Sequence, residues 1–489
     1  MDWQMLAPIF IYLAILMGVG YYSRVTAPKS KTFAEGYFLG GRSLGPFLLV
    51  FTMTASLASV GTFIGAPGLI YSVGAGFLIA GLAQLPVIMY SLGALGKKIA
   101  IVSRRIDAVT LTDLFKARYQ NDAVVIGSAL AMIIFIVVYM MAQIVGGTRI
   151  IEAITGLPYT WGLVIFFVVV VTYTVLGGFR AVAITDLLQG LIMMVGAVVL
   201  VVIVVAKSGG LGVLSATVIE TTPHLFTLPG PMNMTPLYFI SFFMLFGIGV
   251  IGMPTMVLRS MAYKDSKSMH QAILMGIVVM TLFTVPMGLM GLFARVHFPA
   301  LAVPDMAVPS MVLEFLPPWF AGVFMTVPLV AVMSTIDAML LIVCSSIVID
   351  IIRNYIKPKA SDESIKKMSY LFTFLIAIVV FVFALSPPAL VQMVVIYAVG
   401  GLIAAFFVPL LFGLYWRRAN GWGAACSLFG GMVSYILLEI FANRPLGMHT
   451  ITSSLIISIV LMIVVSLLTA KPSAETINLF WGSAPSEQK

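Results

Sequence analysis

Charge is what this chain has least of. Asp, Glu, Lys and Arg make up 9% of the 489 residues, against about 25% in soluble globular domains, which excludes a water-soluble fold. Cysteine is nearly absent. Cys344 and Cys426 both fall in apolar runs and neither stands near a histidine, so neither a disulfide framework nor a zinc site is indicated and both read as packing residues. The histidines, His224, His270, His297 and His449, are scattered at or beyond the ends of apolar runs. No Walker A loop, Gly-x-Ser-x-Gly elbow or HExxH helix occurs, so nucleotide-driven and hydrolytic chemistry have no visible apparatus and no enzyme activity is expected. The net charge of +9 is no nucleic-acid footprint, because the basic residues are spread over many short loops.

What is abundant is apolar sequence: 61% of the chain is hydrophobic and the mean hydropathy is +1.11. That composition fits a polytopic membrane protein, whose spans need about 20 apolar residues each. Such runs predict about 13 helices, near 5–22, 46–72, 75–95, 122–147, 158–177, 184–206, 234–258, 270–294, 309–350, 369–387, 390–415, 420–440 and 450–470. The first follows Met1-Asp2 without a basic n-region or small-residue cleavage site, so it reads as a span and not as a removed signal. With the N-terminus outside, the outer loops hold only Arg149, Lys207, Arg295 and Arg444 out of 27 basic residues. Positive charge therefore predicts N-out, C-in in a cell membrane.

Two of these runs are interrupted, and at matching places. The second carries Thr52, Thr54, Ser56, Ser59, Gly61 and Thr62, then Gly65-Ala66-Pro67-Gly68; the seventh carries Gly247, Gly249, Gly252 and Pro254. Paired Gly/Pro-interrupted segments point to an inverted-repeat transporter with its substrate site at the midplane between them. The bland alternative is that membrane helices tolerate Gly and Pro for packing. Five helices from the second and five from the seventh fit the repeat. The corresponding organisation is 1–45 leading, 46–206 first repeat, 207–415 second repeat and 416–489 trailing.

The segment AVMSTIDAMLLIVCSS (331–346) places Ser334, Thr335 and Asp337 in the middle of an apolar run from about 320 to 349. A charged side chain there costs at least about 2.5 kcal/mol, so something must offset it. On a helix the Ala331 carbonyl, both hydroxyls and the carboxylate fall within about two turns. Such an oxygen cluster suits a hard cation such as Na⁺. The alternative is a protonated Asp bonded to a neighbouring helix.

At this point the residues resemble a known family. YFLGGRSLG (37–45), FIGAPGLIY (63–71), YTVLGGFRAVAITDLLQG (173–190), VIGMPTMVLRSMAYKDSKSMH (250–270), AVMST (331–335) and GLYWRRAN (413–420) are similar to the sodium/solute symporter family, nearly end to end. The resemblance implies a LeuT-like five-plus-five inverted repeat with one leading and two trailing helices, Na⁺ as coupling ion, no cofactor, and alternating access. It implies a sodium site from the carbonyls of Ala55, Ala58 and Ala331 and the hydroxyls of Ser334 and Thr335. Some members bind a second sodium through an Asp matching Asp186 and small polar residues matching Asp337 and Ala338. An Asp at 337 departs from that pattern and would hold either a second cation or a proton; Asp186 would otherwise cap the sixth helix after Gly177-Gly178. Proline-transporting members carry an Asp where this chain has Leu57.

SLGALGKKIAIVSRR (91–105), MAYKDSK (261–267) and MSTI (333–336) are most like the members that import pantothenate. The resemblance thus implies Na⁺-coupled import of that anion, with another small organic anion such as a monocarboxylate as the alternative. A channel would need a filter ring and a kinase-linked sensor a long soluble tail; neither is seen. Every Lys and Arg lies near a predicted helix end, so a midplane carboxylate is expected to have no buried cation as partner. It would rest on half-helix N-termini, hydroxyls and Na⁺. Thr62, Gln143 and Gln84 are the candidate substrate ligands, though helix–helix hydrogen bonding is the commoner role for such residues.

Overall fold

The computed structural model describes residues 3–25, 39, 42–228, 235–442 and 444–482, and only the backbone of residues 16, 17, 19–25, 172–186 and 337. Among the described residues it is helical, with one isolated bridge between Leu44 and Tyr263. Helix α1 (Trp3–Val25) leads. Helices α2 (Pro46–Leu57) and α3 (Ala66–Val73) are halves of one segment, joined through a π-helical turn at Gly61–Gly65. Then come α4 (Ala75–Arg105), the short α5 (Leu111–Tyr119), α6 (Asp122–Thr155), α7 (Tyr159–Lys207) and α8 (Leu211–Thr221). Helices α9 (Pro236–Gly252) and α10 (Pro254–Ala262) form a second bent pair. They are followed by α11 (Ser266–His297), α12 (Ala307–Phe315), α13 (Pro318–Ile356), α14 (Asp362–Ala384) and α15 (Val391–Tyr415). Helices α16 (Gly421–Phe441), α17 (Thr450–Leu468) and α18 (Ala474–Trp481) trail.

The two interruptions read from Gly and Pro are real bends, of 59° between α2 and α3 and 43° between α9 and α10. The second has a local cause: Met253 is extended (φ −65°, ψ 139°), as residues before a proline tend to be. The described residues contain nine helices long and apolar enough to cross a membrane, or eleven with each bent pair as one span. The shorter apolar helices Trp3–Ile15 and Tyr159–Val171 fall in the first and fifth runs read from the sequence.

Three expectations change. The run 309–350 is two helices, because Leu316 is extended (φ −118°, ψ 140°) ahead of Pro317-Pro318, where a helix cannot continue. The backbone is helical throughout α7, where a break near Gly177-Gly178 was expected; a glycine costs only about 1 kcal/mol in a helix. Asp186 therefore lies within that helix and not at an N-terminus. Finally, the tail after α17 is partly helical: Ser473 caps α18 by accepting from Thr476 N–H at 3.1 Å.

Burial identifies the frame. The most apolar windows of α13, α15 and α6 are 100%, 83% and 67% buried, against 33% for α14. On α14, Leu371, Phe374, Leu375, Ile378 and Val382 are exposed, a one-sided apolar stripe at helical spacing that faces lipid. Small residues bring the trailing helices close. Ser427 and Ser458 hydroxyls lie 2.7 Å apart, and a Cβ on Gly431 would stand 2.2 Å from the Ala404 carbonyl oxygen. That oxygen is backbone and cannot swing aside. Gly431→Val should therefore lower thermal stability by about 1–3 kcal/mol, read as a drop in Tm of the purified protein. Gly212→Ala, where nothing lies within 4 Å, should leave Tm in place; equal Tm for both variants would contradict the packing assigned to α15 and α16.

Candidate transport site

The site begins where α2 stops. Ala58 turns out of the helix (φ −76°, ψ 92°) while its N–H still reaches the Thr54 carbonyl at 2.6 Å. An unbroken helix would return the Val60 N–H to Ser56; here it is donated to Gln143 Oε1 on α6 at 3.0 Å. The Gly61 N–H goes to Ser59 Oγ at 3.1 Å, and that hydroxyl lies 3.2 Å from the Tyr139 hydroxyl, also on α6. In hydrocarbon such freed groups need protein partners. Gly146 makes the approach possible, since a Cβ there would sit 1.8 Å from Val60 Cγ2.

Beside the break lie four of the five residues expected to hold sodium. Thr335 Oγ1 donates to the Ala331 carbonyl at 2.8 Å and approaches the Ala55 carbonyl at 3.5 Å; Ser334 Oγ donates to Ala331 at 3.0 Å. Ala55, Ala331, Ser334 and Thr335 are each at most 2% exposed. Hydroxyls that give their protons to a carbonyl keep lone pairs to offer a cation. Ala58 stands three residues beyond Ala55, at the bend itself. The side chains of Asp186 and Asp337 lie outside the described residues.

On the other side of the break is a cavity with a water-accessible volume of about 70 Å³ between α2–α3, α4, α6, α9, α11 and α15. Thr62 and Gln84, both singled out from the sequence, line it. Gln143 is not among its lining residues, being spent on Val60. Ser59, named only as part of the interrupted run, and Tyr139, Thr284 and Gln392, which the sequence reading missed, supply most of the cavity's remaining polar groups. Gln392 Oε1 and Thr284 Oγ1 are buried without a hydrogen-bond partner among the described residues. Gln392 presses on the π-helical turn so closely that a Cβ on Gly65 would lie 2.7 Å from its Oε1. Phe77, Phe246 and Met253 form much of the apolar wall.

One basic residue is buried, which its helix-end position in the sequence did not suggest, although it does not reach the polar cavity. Arg259 is 1% exposed, so a buried cation does exist. Its Nε donates to the Thr52 carbonyl at 2.9 Å and its Nη1 to Thr255 at 3.2 Å. It lines a separate small cavity with Ala338, not the one beside Thr62. A helix-end position in the sequence does not mean exposure once the half-helix α10 ends inside the protein.

A helix broken at its centre, a carbonyl–hydroxyl cluster against the break and a polar cavity facing it define a secondary transporter of the LeuT-like class. The Sodium:solute symporter family profile matches residues 37–431. The chain is 38% identical over 466 residues to the sodium/pantothenate symporter of Escherichia coli (strain K12), covering 95% of this chain and 96% of that protein. It is 36% identical over 468 residues to the sodium/pantothenate symporter of Haemophilus influenzae, with 95% and 96% covered. The fold matches a substrate-bound, outward-open Na⁺-coupled sialic acid symporter with a TM-score of 0.77 at 17% identity, over 96% of this chain and 99% of that one. The chain belongs to the sodium:solute symporter family.

Asp305, also missed, packs between α3 and the start of α15. It lies in the connection between α11 and α12 and is 1% exposed; its Oδ2 accepts from Val391 N–H, the first of α15, at 2.9 Å. A Cβ on Gly68 of α3 would stand 2.7 Å from Oδ1. Burial pushes this carboxyl up to about 6, with the Val391 N–H and Arg149 pulling the other way. The folded protein thus holds the proton more tightly than the unfolded chain, whose Asp titrates near 3.9. That stabilisation, at most about 3 kcal/mol, is complete below about pH 4 and lost as pH rises through about 6. The difference in Tm between Asp305→Asn and wild type should therefore shift in favour of the variant from pH 4 to 7. A constant difference would show that Asp305 titrates normally.

Proposed function

We propose that this chain imports pantothenate together with Na⁺ across a cell membrane by alternating access. The observation that carries the reading is the Ala55–Thr335–Ala331 oxygen cluster set against the broken helix whose other side lines the cavity. An ion bound there would tie α2 to α13 and so set the position of the helix that forms the substrate wall. The Na⁺ ligands are the carbonyls of Ala55, Ala58 and Ala331 and the hydroxyls of Ser334 and Thr335. Asp186 and Asp337 form a second site, for Na⁺ or a proton, because two carboxylates in low dielectric cannot both ionise without a compensating charge.

Support for pantothenate comes from the names of the two relatives and from the cavity's chemistry. An amide, two hydroxyls and a carboxylate on an aliphatic frame match Gln84, Gln392, Thr62, Thr284, Ser59 and Tyr139 among apolar walls. Among the described residues no Lys or Arg lines the cavity, so the carboxylate is met by backbone N–H groups, hydroxyls and Na⁺. The repeats run 46–206 and 207–415, and the N-terminus is outside with the C-terminus cytoplasmic, as the basic-residue distribution favours.

In proteoliposomes, labelled pantothenate should accumulate under an imposed Na⁺ gradient. Two Na⁺ per substrate anion would move one net charge and add about 2.3 kcal/mol per 100 mV of inside-negative potential; one would add nothing. Uptake at full rate without Na⁺ would sink the sodium assignment, and stronger uptake of a monocarboxylate in competition would replace the substrate.

Ser334→Ala and Thr335→Ala should each raise the Na⁺ concentration for half-maximal uptake by roughly tenfold, the loss of one ligand of about 1.4 kcal/mol. Pantothenate affinity at saturating Na⁺ should change less, since linkage passes on only part of an ion-binding defect. Thr335→Ser keeps the hydroxyl and should retain near-normal Na⁺ dependence. Unchanged Na⁺ dependence in both Ala variants would place the ion elsewhere.

A further inference from the structure

Another cavity, sharing no lining residue with the first, lies where the trailing helices meet the core. Its water-accessible volume is about 200 Å³, more than ten times what one water needs. It is lined by Arg118 and Gln120 at the end of α5, Asn121, Asn420 and Gly421, and Lys471 and Ser473. Asn121, Asn420 and Ser473 are the N-caps of α6, α16 and α18, so three helix N-termini open on one space. Each cap side chain satisfies one N–H of its own helix: Ala123 at 2.9 Å, Gly423 at 2.9 Å and Thr476 at 3.1 Å. The remaining first-turn N–H groups leave partial positive charge at each end.

Arg118 is the independent observation. It is 2% exposed and lines the cavity. Its Nε donates to the Gly413 carbonyl at 2.7 Å and its Nη2 to Trp416 at 3.1 Å. Its Nη1 is buried with no hydrogen-bond partner among the described residues. A guanidinium does not lose its proton to relieve this, and an unmet buried donor on a charged group is costly. Among the described residues no Asp or Glu lines the cavity, although Glu475 stands in the first turn of α18. The nearest first-turn carboxylate on α6, Asp122, accepts from the Tyr355 hydroxyl at 2.7 Å.

We propose that this cavity binds a phosphate-bearing anion, held by Arg118, Lys471 and the N-termini of α6, α16 and α18. A carboxylate brings two acceptor oxygens, whereas a phosphate group brings three or four, enough to meet two cationic side chains and more than one helix end together. The source is either free phosphate or a lipid headgroup. Trp422 of the lining and the neighbouring Leu467 and Leu468 are exposed, which sets the cavity at the depth of a membrane interface. Occupancy would join α5 and α6 of the core to α16 and α18, without contact with the substrate cavity.

The test uses full-length protein in neutral detergent, with no substrate and with choline salts replacing sodium, so its outcome is separate from the transport reading. Tm is followed against inorganic phosphate, against short-chain phosphatidic acid, and against short-chain phosphatidylcholine or chloride at matched ionic strength. A saturable rise with inorganic phosphate supports the site with a soluble ligand. A rise with phosphatidic acid alone supports it with a lipid headgroup. Lys471→Gln, on an exposed residue, should weaken the apparent affinity by roughly five- to tenfold, and Arg118→Gln should weaken it further if the variant folds. No saturable rise with either phosphate probe, or an affinity untouched by Lys471→Gln, overturns the proposal.

Discussion

A backbone N–H freed inside a membrane must find a protein acceptor, and most of what this molecule can do follows from how one such group is met. The Val60 N–H leaves its helix and goes to Gln143. Without that acceptor the interruption after Ala58 would leave a donor unmet in low dielectric, a cost of several kcal/mol per group. With it, α2 can end inside the protein, the Ala55 carbonyl faces Thr335 of α13, and the residues after it form the wall of a cavity. The break thus holds the carbonyl–hydroxyl cluster and the polar cavity as two faces of the same turn.

The partners of the break differ in kind. Gln143 and Tyr139 sit on α6, part of the buried frame with α13 and α15, and they fix the turn through neutral hydrogen bonds. Thr335, also on the frame, reaches Ala55 at 3.5 Å, a contact too long to hold α2 by itself. A cation between those oxygens would make the link strong and its removal would make it weak. In the proposed cycle the ion acts on α2 and not on the frame, which is where a change in position alters access to the cavity.

How much of this was legible in the sequence depended on whether the signal was local. Ser334 and Thr335 stood out because hydroxyls sit beside a carboxylate in an unbroken apolar run, and the bends because Gly and Pro cluster within a few residues. Thr62 belongs to that same cluster, whereas Gln84 stood out only as a polar residue in the next apolar run. Tyr139, Thr284, Gln392 and Asp305 are single polar residues in otherwise ordinary segments. Their significance lies in partners far along the chain: Tyr139 against Ser59, 80 residues earlier, and Asp305 against Val391, 86 later. The division of 309–350 at Leu316 was a local signal, Pro317-Pro318, overridden in the reading by the length of the apolar run.

Basic residues expose the limit of reading charge as topology alone. Counting Lys and Arg by loop treats them as solvated markers of one face, yet several are structural ties. Arg105 Nη1 donates to the carbonyls of Leu479 and Gly482, both at 3.1 Å. Lys98 lies 4.5 Å from the centre of the Trp481 ring and Arg118 5.1 Å from it, within the range of cation–π attraction. Through these contacts α18, an eight-residue helix too short to be stable alone, is held against the ends of α4 and α5. Basic residues counted as markers of topology thus also fasten α18 to the ends of the helices that carry them.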